Sequence, residues 1–448
     1  MKKILLGLLI ATYTVLGANY GVYTDTQINK AKNSTDPKIT QARKNIIALA
    51  DTQLNKTSQA GGIYYILAEY SDTTYLRDAM EHNNEIWAKL EDNKYALQLA
   101  IAYHMTGDTK YADKAVYFLN SWASSNTRCM GKTYVDHYGG EENLPVPDLN
   151  NYKTPGYYAQ TGADSTMNQV MQGFIQAGLF LKDYARWAQA DKDIYTTWIN
   201  NSTDYYRRFF LPGEYEPGKF LNPEWPAQNA VEGALIQKVL TEAWNGDIEA
   251  LNGESKTYMK LLLDDAIKPL ILGGYNIPHM LPAEVLRDNK GMWYTSWALE
   301  ALTQLTGIFR NTIGVDFLYT KNAHGSSLVD ALDKFYYYVR HVDEWPWLSG
   351  RESYPDDIKT GGTITRVPQP GSWGGTTYEA LGLKLNKSAW TEWASSNGPT
   401  TFFGTGRTSW CCPTLLPFSE ASTEDLIKDS TADSSNGKPF IMTESGLK

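Results

Sequence analysis

The chain has 448 residues, of which 42% are hydrophobic, so it is long enough to form one large domain or about two to three ordinary ones around a sizeable core. Its formal net charge of −9 argues against a general nucleic-acid binder. The charge does not exclude an anionic chain as a ligand, because a local basic cleft can bind one on an acidic protein. Aromatic residues are abundant, with 30 Tyr and 14 Trp, and carbohydrate sites use apolar aromatic faces to stack on sugar rings.

The N-terminus is typical of a secretory signal peptide. Two lysines precede a mostly apolar run over residues 4–16, and Gly17-Ala18 offers a small-residue cleavage site. The apolar run is short for a membrane span, and no later stretch is long and apolar enough to be one. We therefore predict an exported protein, secreted or periplasmic, and assign residues 1–18 to the signal peptide.

Helical periodicity dominates the chain after the N-terminus. The clearest pattern is a helical hairpin over 93–125, in which Gly107-Asp108 makes the turn and Thr109 is the predicted N-cap. Other helices are predicted over 36–54, 167–190, 192–208, 230–244, 255–270, 292–309 and 328–341. Repeated helix pairs of this kind predict a mainly α fold, an incomplete (α/α) toroid of helical hairpins.

Two long loops interrupt the helices. Residues 129–162 are polar and aromatic, as expected of a segment that covers a substrate, and they contain His137 and Tyr138. Residues 211–229 are rich in proline and contain Trp225.

The composition changes near residue 345. We predict a toroid domain over 19–345 and a small Gly- and Trp-rich C-terminal extension over 346–448, either irregular or β-rich, that packs on the toroid. No convincing linker separates the two parts.

The chain contains three cysteines, Cys129, Cys411 and Cys412, without C-x-x-C spacing. In an exported protein Cys129 can pair with either of the other two, and the sequence leaves both pairings open. No Gly-rich phosphate loop, H-E-x-x-H motif or G-x-S-x-G motif occurs, so we predict no metal and no cofactor.

Residues 281–305, LPAEVLRDNKGMWYTSWALEALTQL, combine polar groups with a helix. Apolar residues recur at helical spacing from Trp293 onward, which predicts that a helix begins there. Arg287 and Tyr294 therefore lie at the mouth of an otherwise apolar helix. Tyr294 is near its N-terminus, where the helix dipole favours negative charge.

This stretch resembles the alginate lyase superfamily of polysaccharide lyases, of the family 5 or family 38 type. The matching residues are Pro282, Glu284, Arg287, Tyr294 and Leu299-Glu300-Ala301-Leu302, with an insertion between Arg287 and Tyr294. The resemblance covers residues 40–345. It implies an (α/α) toroid that cleaves an anionic uronate polymer without a cofactor.

Lyases of uronate polymers work by β-elimination, which requires a base, an acid and a group that neutralises the substrate carboxylate. A tyrosine can act as acid or base when a nearby cation favours its ionised form. We assign Tyr294 as the acid that protonates the leaving oxygen, and it is also a candidate for the base that removes the proton. Arg287 is assigned as the cation that acts on Tyr294 or holds the substrate carboxylate.

In the family an asparagine–histidine pair opens an earlier helix, and the matching residues here are Asn229 and Ala230. The asparagine is present and the histidine is absent. This departure leaves Asn229, with Gln228, as the carboxylate neutraliser and leaves the base unassigned.

If the base is a histidine, it comes from another part of the chain. His137 is the first candidate, and His279, just before the central motif, is the second and a candidate substrate contact. Tyr138, Trp225 and Trp293 are candidate platforms for sugar rings.

Alginate is the first predicted substrate and glucuronan the second, and the oligomeric state is left open. One alternative is an inverting glycoside hydrolase on the same toroid, which needs two separated carboxylates and would use Asp264 and Asp265. Adjacent helical residues point about 100° apart, which weakens that pair. A non-catalytic polysaccharide-binding protein is the other alternative.

Overall fold

The computed structural model describes residues 19–60, 91–125, 171–211, 228–272, 275–285, 290–346, 367–371, 374–400 and 410–418. The predicted signal peptide, residues 1–18, lies outside these ranges. No helix in the described part of the chain is both long and apolar enough to cross a membrane.

The described residues are mainly helical, as predicted. The helices are α1 (Asp25–Asn33), α2 (Pro37–Gln53), α3 (Asp92–Thr106), α4 (Thr109–Ser125), α5 (171–181), α6 (Gln189–Phe210), α7 (Gln228–Asn245), α8 (Lys256–Ala266), α9 (Pro282–Val285), α10 (Gly291–Ile313), α11 (Leu328–Arg340), α12 (Gly375–Gly382) and α13 (Ser388–Ala394). Two antiparallel hairpins pair β1 (Asn19–Tyr20) with β2 (Tyr23–Thr24), and β3 (Lys268–Leu272) with β4 (Tyr275–Met280). A π-helical turn at Leu251–Ser255 leads into α8.

Local capping groups set several helix ends. The Asp36 side chain accepts from the first turn of α2, and Ser327 forms a capping box with Asp330 at the start of α11. The predicted hairpin of α3 and α4 is confirmed, and Gly107 makes its turn with a φ of 75°. Asp108, one residue before the predicted Thr109, accepts from the backbone of the first turn of α4.

Helices α3 and α5 lie side by side and run in the same direction. At their N-terminal ends, a Cβ at Gly173 would lie 2.3 Å from Asn93 Oδ1, so glycine permits the close approach. At their C-terminal ends, His104 Nε2 lies 2.7 Å from the carbonyl oxygen of Phe180. Both contacts together require a parallel pair.

Helices α7 and α10 continue this inner ring. Gln172 Nε2, near the start of α5, donates to the Gly233 carbonyl near the start of α7 (3.4 Å). α7 in turn packs along α10. Outer helices run back between the inner ones: Trp122 of α4 packs on Phe174 of α5, with ring centroids 4.9 Å apart. This arrangement is the predicted toroid of helical hairpins.

The β1–β2 hairpin closes one end of the ring. Its backbone is held by side chains from the middle of α5 and from the last turns of α10. Val22 N–H donates to Gln176 Oε1 (3.2 Å), and Asn311 Nδ2 donates to the Val22 carbonyl (2.8 Å). The Tyr20 ring stacks on Phe180, with centroids 5.0 Å apart. The N-terminal ends of the inner helices therefore lie at the opposite end of the toroid.

Gly21, at the tip of this hairpin, gives a test of the closure. We expect Gly21→Ala to cost about 1–3 kcal/mol more stability than Gly107→Ala. Both glycines have a positive φ, but a Cβ at Gly21 would lie 2.6 Å from Leu240 Cδ2, whereas a Cβ at Gly107 meets nothing within 4 Å. Urea unfolding of both variants measures the difference. Equal costs would show that the hairpin is not tightly packed in the ring.

The described part of the Gly- and Trp-rich extension contains helices α12 and α13 and packs on α10. Thr376 Oγ1 donates to the buried Glu300 carboxylate, and Trp410 Nε1 donates to Thr303 Oγ1 (3.0 Å). A Cβ at Gly374 would lie 2.6 Å from Ser296 Oγ. The division into domains at residue 345 stays a prediction.

Two helices end earlier than their periodicity predicts. α5 ends at residue 181, because Tyr184 and Trp187 turn towards α4, where they donate to Asp113 (2.6 Å) and Asn120 (3.0 Å). α8 ends at Ala266, and the chain enters strand β3 instead of continuing the predicted helix to residue 270.

Candidate active site

The N-terminal ends of α3, α5, α7 and α10 form one end of the toroid. The β1–β2 hairpin covers the opposite end, where the Tyr20 ring stacks on Phe180 and Asn311 donates to the Val22 carbonyl. The predicted site residues Gln228 and Tyr294 lie in the first turns of α7 and α10, so we place the candidate site at the N-terminal end of the inner ring.

Tyr294 lies in the first turns of α10 at this end and is half-buried. Its ring is nearly parallel to that of Trp297, with an angle of 11° and centroids 6.2 Å apart. The Trp293 ring lies 4.8 Å away on the preceding residue. Trp293 itself is only 9% exposed, so it packs against Tyr294 more than it faces solvent. The two indoles hold the phenol ring in one orientation.

The start of α10 is set by a close backbone contact. A Cβ at Gly291 would lie 2.4 Å from the carbonyl oxygen of Val285, at the end of α9. Only glycine permits this approach, so α9 is held directly against the turn that carries Tyr294. Glu284, within α9, is 1% exposed.

A buried polar group lies at the head of α7. The Gln228 side chain is 2% exposed, and its Nε2 donates to Glu232 Oε1 (2.8 Å). Glu232 is 0% exposed. Burial raises the pKa of Glu232 well above its usual range, the Glu284 carboxyl raises it further, and the hydrogen bond from Gln228 opposes both. The periodicity of the sequence did not single out Glu232; its i,i+4 spacing from Gln228 is the signal that could have found it.

His279 lies on β4 with an unusual backbone, since its φ is 61°. Its Nδ1 lies 2.8 Å from Ser326 Oγ, and burial lowers the pKa of His279. A neutral imidazole is the form a base requires, and the contact with Ser326 engages Nδ1 and not Nε2.

Solved structures similar to this chain are alginate lyases. One, an alginate lyase from Bacteroides ovatus, is 17% identical with a TM-score of 0.56, over 90% of this chain and 100% of that one. Another, alginate lyase A1-III from Sphingomonas species A1, is 13% identical with a TM-score of 0.50, over 76% of this chain and 78% of that one. The chain has the fold of the alginate lyase toroid. No family model and no curated protein matches the sequence, so the likeness is one of fold.

The similarity to these structures confirms the predicted fold class and resemblance. Several predicted site residues lie outside the part of the chain that the structure describes. Arg287, His137, Tyr138 and Trp225 lie outside the described residues, as does Cys129. Asn229 lies in the first turn of α7 beside Gln228, but the structure describes only its backbone. Their roles stay predictions.

The two carboxylates of the glycoside hydrolase alternative, Asp264 and Asp265, lie on α8. Asp264 accepts from the backbone N–H of Ala323 (2.7 Å) and so holds the loop before α11, while Asp265 is 8% exposed. This arrangement lends no support to two carboxylates facing one cleft. Within the described ranges, no three His, Cys, Asp or Glu side chains cluster as metal ligands.

Proposed function

We propose that this chain is a polysaccharide lyase that cleaves a uronate polymer by β-elimination. The observation that carries the proposal is the position of Tyr294 at the start of an inner helix of the alginate lyase toroid. Its ring lies against those of Trp293 and Trp297. The head of α7, with its amide side chains, begins at the same end of the ring. The two similar structures are alginate lyases, which supports alginate as the first substrate to test and glucuronan as the second.

In the reaction, a base removes the C5 proton of the uronate, the C4=C5 double bond forms, and the C4–O4 bond breaks. The acid protonates the leaving O4, so the products are a 4,5-unsaturated uronate and a shortened chain. We assign Tyr294 as the acid, and Arg287 and Asn229 as the groups that neutralise the substrate carboxylate. Because Ala230 stands where the family has histidine, the base is Tyr294 itself, His137 or His279.

Gln228, the neighbour of Asn229 in the first turn of α7, is a candidate substrate contact in its own right. Export through the signal peptide, to the periplasm or the medium, is part of this proposal. An exported enzyme meets a polymer that is too large to enter the cell readily.

The test is an incubation of the purified protein with alginate, glucuronan and a neutral β-glycan. Near-ultraviolet absorbance and reducing ends are followed together. We expect both signals to rise together on one of the two polyuronates, because each elimination creates one double bond and one new chain end. Reducing ends without absorbance would indicate a hydrolase and contradict the lyase proposal. Neither signal on any polymer would favour a binding protein.

A further inference from the structure

The elimination chemistry uses neither of two buried carboxyl groups, Glu232 on α7 and Glu284 on α9. They are 0% and 1% exposed. Oε1 of Glu232 accepts from Gln228, while its Oε2 has no hydrogen-bond partner among the described residues. A buried carboxylate oxygen without a donor is costly when the group is ionised.

The surroundings of Glu232 favour its neutral form. On its own helix its hydrogen-bond partner is the uncharged Gln228, and the carboxyl of Glu284 on α9 raises the pKa of Glu232 further. Among the described residues no cation acts on Glu232. A buried carboxyl is costly to ionise beside a second one, so burial and the neighbouring acid both favour a proton on Glu232.

We propose that Glu232 holds this proton and acts as a positioning residue for the head of α7. Its neutral form removes one negative charge from the first turns of α7, where the proposed carboxylate site lies. Its hydrogen bond with the buried Gln228 supports the first turn of α7, on which Asn229 lies. The inference rests on the proposed function, because it takes Asn229, beside Gln228, as a group that neutralises the substrate carboxylate.

The ionisation of Glu232 predicts a distinct dependence of KM on pH. When the pH rises through the raised pKa of Glu232, its side chain becomes a carboxylate that repels the carboxylate of the substrate. The wild-type KM for the polyuronate is therefore expected to rise about tenfold or more on the alkaline side, with a smaller change in kcat. The Glu232→Gln variant keeps an acceptor oxygen for Gln228 but cannot ionise, so its KM should stay flat over that range.

A second readout does not depend on activity. Because the folded-state pKa of Glu232 is raised, ionisation of this group lowers stability as pH rises from its unfolded pKa of about 4.3 through the folded value. The melting temperature of Glu232→Gln should therefore exceed that of the wild type at about pH 8 and approach it at about pH 4.

The Glu232→Leu variant tests the hydrogen bond between Gln228 and Glu232 separately from the charge. It removes the acceptor for Gln228, so we expect its KM to be raised about tenfold at every pH, while Glu232→Gln stays near the wild type at neutral pH. A wild-type KM in Glu232→Leu would overturn the positioning role.

Glu242→Gln is the matched control, because Glu242 is a buried acid on the same helix that accepts from Lys238 and Ser255 instead. Its KM should follow the wild-type pH profile. Identical pH dependence of both KM and melting temperature in wild type and Glu232→Gln would overturn the protonation of Glu232. If no polymer is cleaved, the proposed function fails, and the unfolding comparison still decides which form of Glu232 is present.

Discussion

Replacing Tyr294 by phenylalanine is expected to lower kcat on the cleaved polyuronate by about 10²- to 10⁴-fold. The hydroxyl is the only group removed, and without it the leaving O4 has no acid to protonate it. The ring contacts with Trp293 and Trp297 do not involve the hydroxyl, so the orientation of the ring and the fold should persist. The rate is measured from the absorbance of the unsaturated product, and the fold from circular dichroism and thermal unfolding.

Tyr319→Phe is the control for this substitution. Tyr319 is 56% exposed on the loop between α10 and α11, and its loss of a hydroxyl should leave kcat and KM at wild-type values. A Tyr294→Phe enzyme with wild-type kcat would refute the catalytic assignment. The lyase proposal would then rest on the polymer assay alone.

The largest effect on stability is expected from Asp92→Ala. Asp92 is 0% exposed at the start of α3, and its Oδ2 accepts from Ser58 Oγ (2.9 Å), Gln59 N–H (2.7 Å) and Trp122 Nε1 (2.9 Å). Removing the carboxylate leaves three donors without this acceptor. Only the Trp122 donor is fully buried, and the other two are partly buried. A buried donor left unsatisfied costs about 1–3 kcal/mol, so we expect a loss of about 4 kcal/mol in the free energy of unfolding for the three together.

Asp92→Asn separates the hydrogen bonds from the charge. The amide keeps an acceptor oxygen of the same size, and it removes the cost of a buried charge, which is the reason the pKa of Asp92 is raised. We expect Asp92→Asn to lose about 1 kcal/mol. Urea unfolding at pH 7 measures both variants. An equal loss in both would mean that the charge, and not the network, holds the α3 and α4 ends to residues 58–59.

Much of the helical framework follows from local periodicity. The pattern from Trp293 onward predicted α10, and the Gly107-Asp108 turn predicted the α3–α4 hairpin, because helical spacing and turn residues are local features. Their burial goes further than one apolar face, since α10 is buried around almost its whole circumference. The ends of α5 and α8 could not be predicted in this way. α5 stops because Tyr184 and Trp187 find partners on a neighbouring helix, which no local pattern encodes.

The candidate site divides along the same line. Tyr294 at the start of a helix was predictable, because both the helix and its position within it are local features. The effect of Glu284 on the pKa of Glu232 was not, because the two residues are far apart in sequence and lie on different helices, α9 and α7. The burial of Trp293, predicted as a sugar platform, likewise depends on Trp297 and on the surrounding ring.

Composition, helical spacing and the residues around Tyr294 were thus sufficient for the fold class and for the expectation of a lyase. The tertiary structure alone decided which end of the ring is closed. It did so by placing the Tyr20–Tyr23 hairpin against Phe180 and Asn311, near the C-terminal ends of α5 and α10. It also decided the state of the buried acids, because the cost of a charge depends on the solvent and partners that the fold leaves to it, and not on its neighbours in sequence.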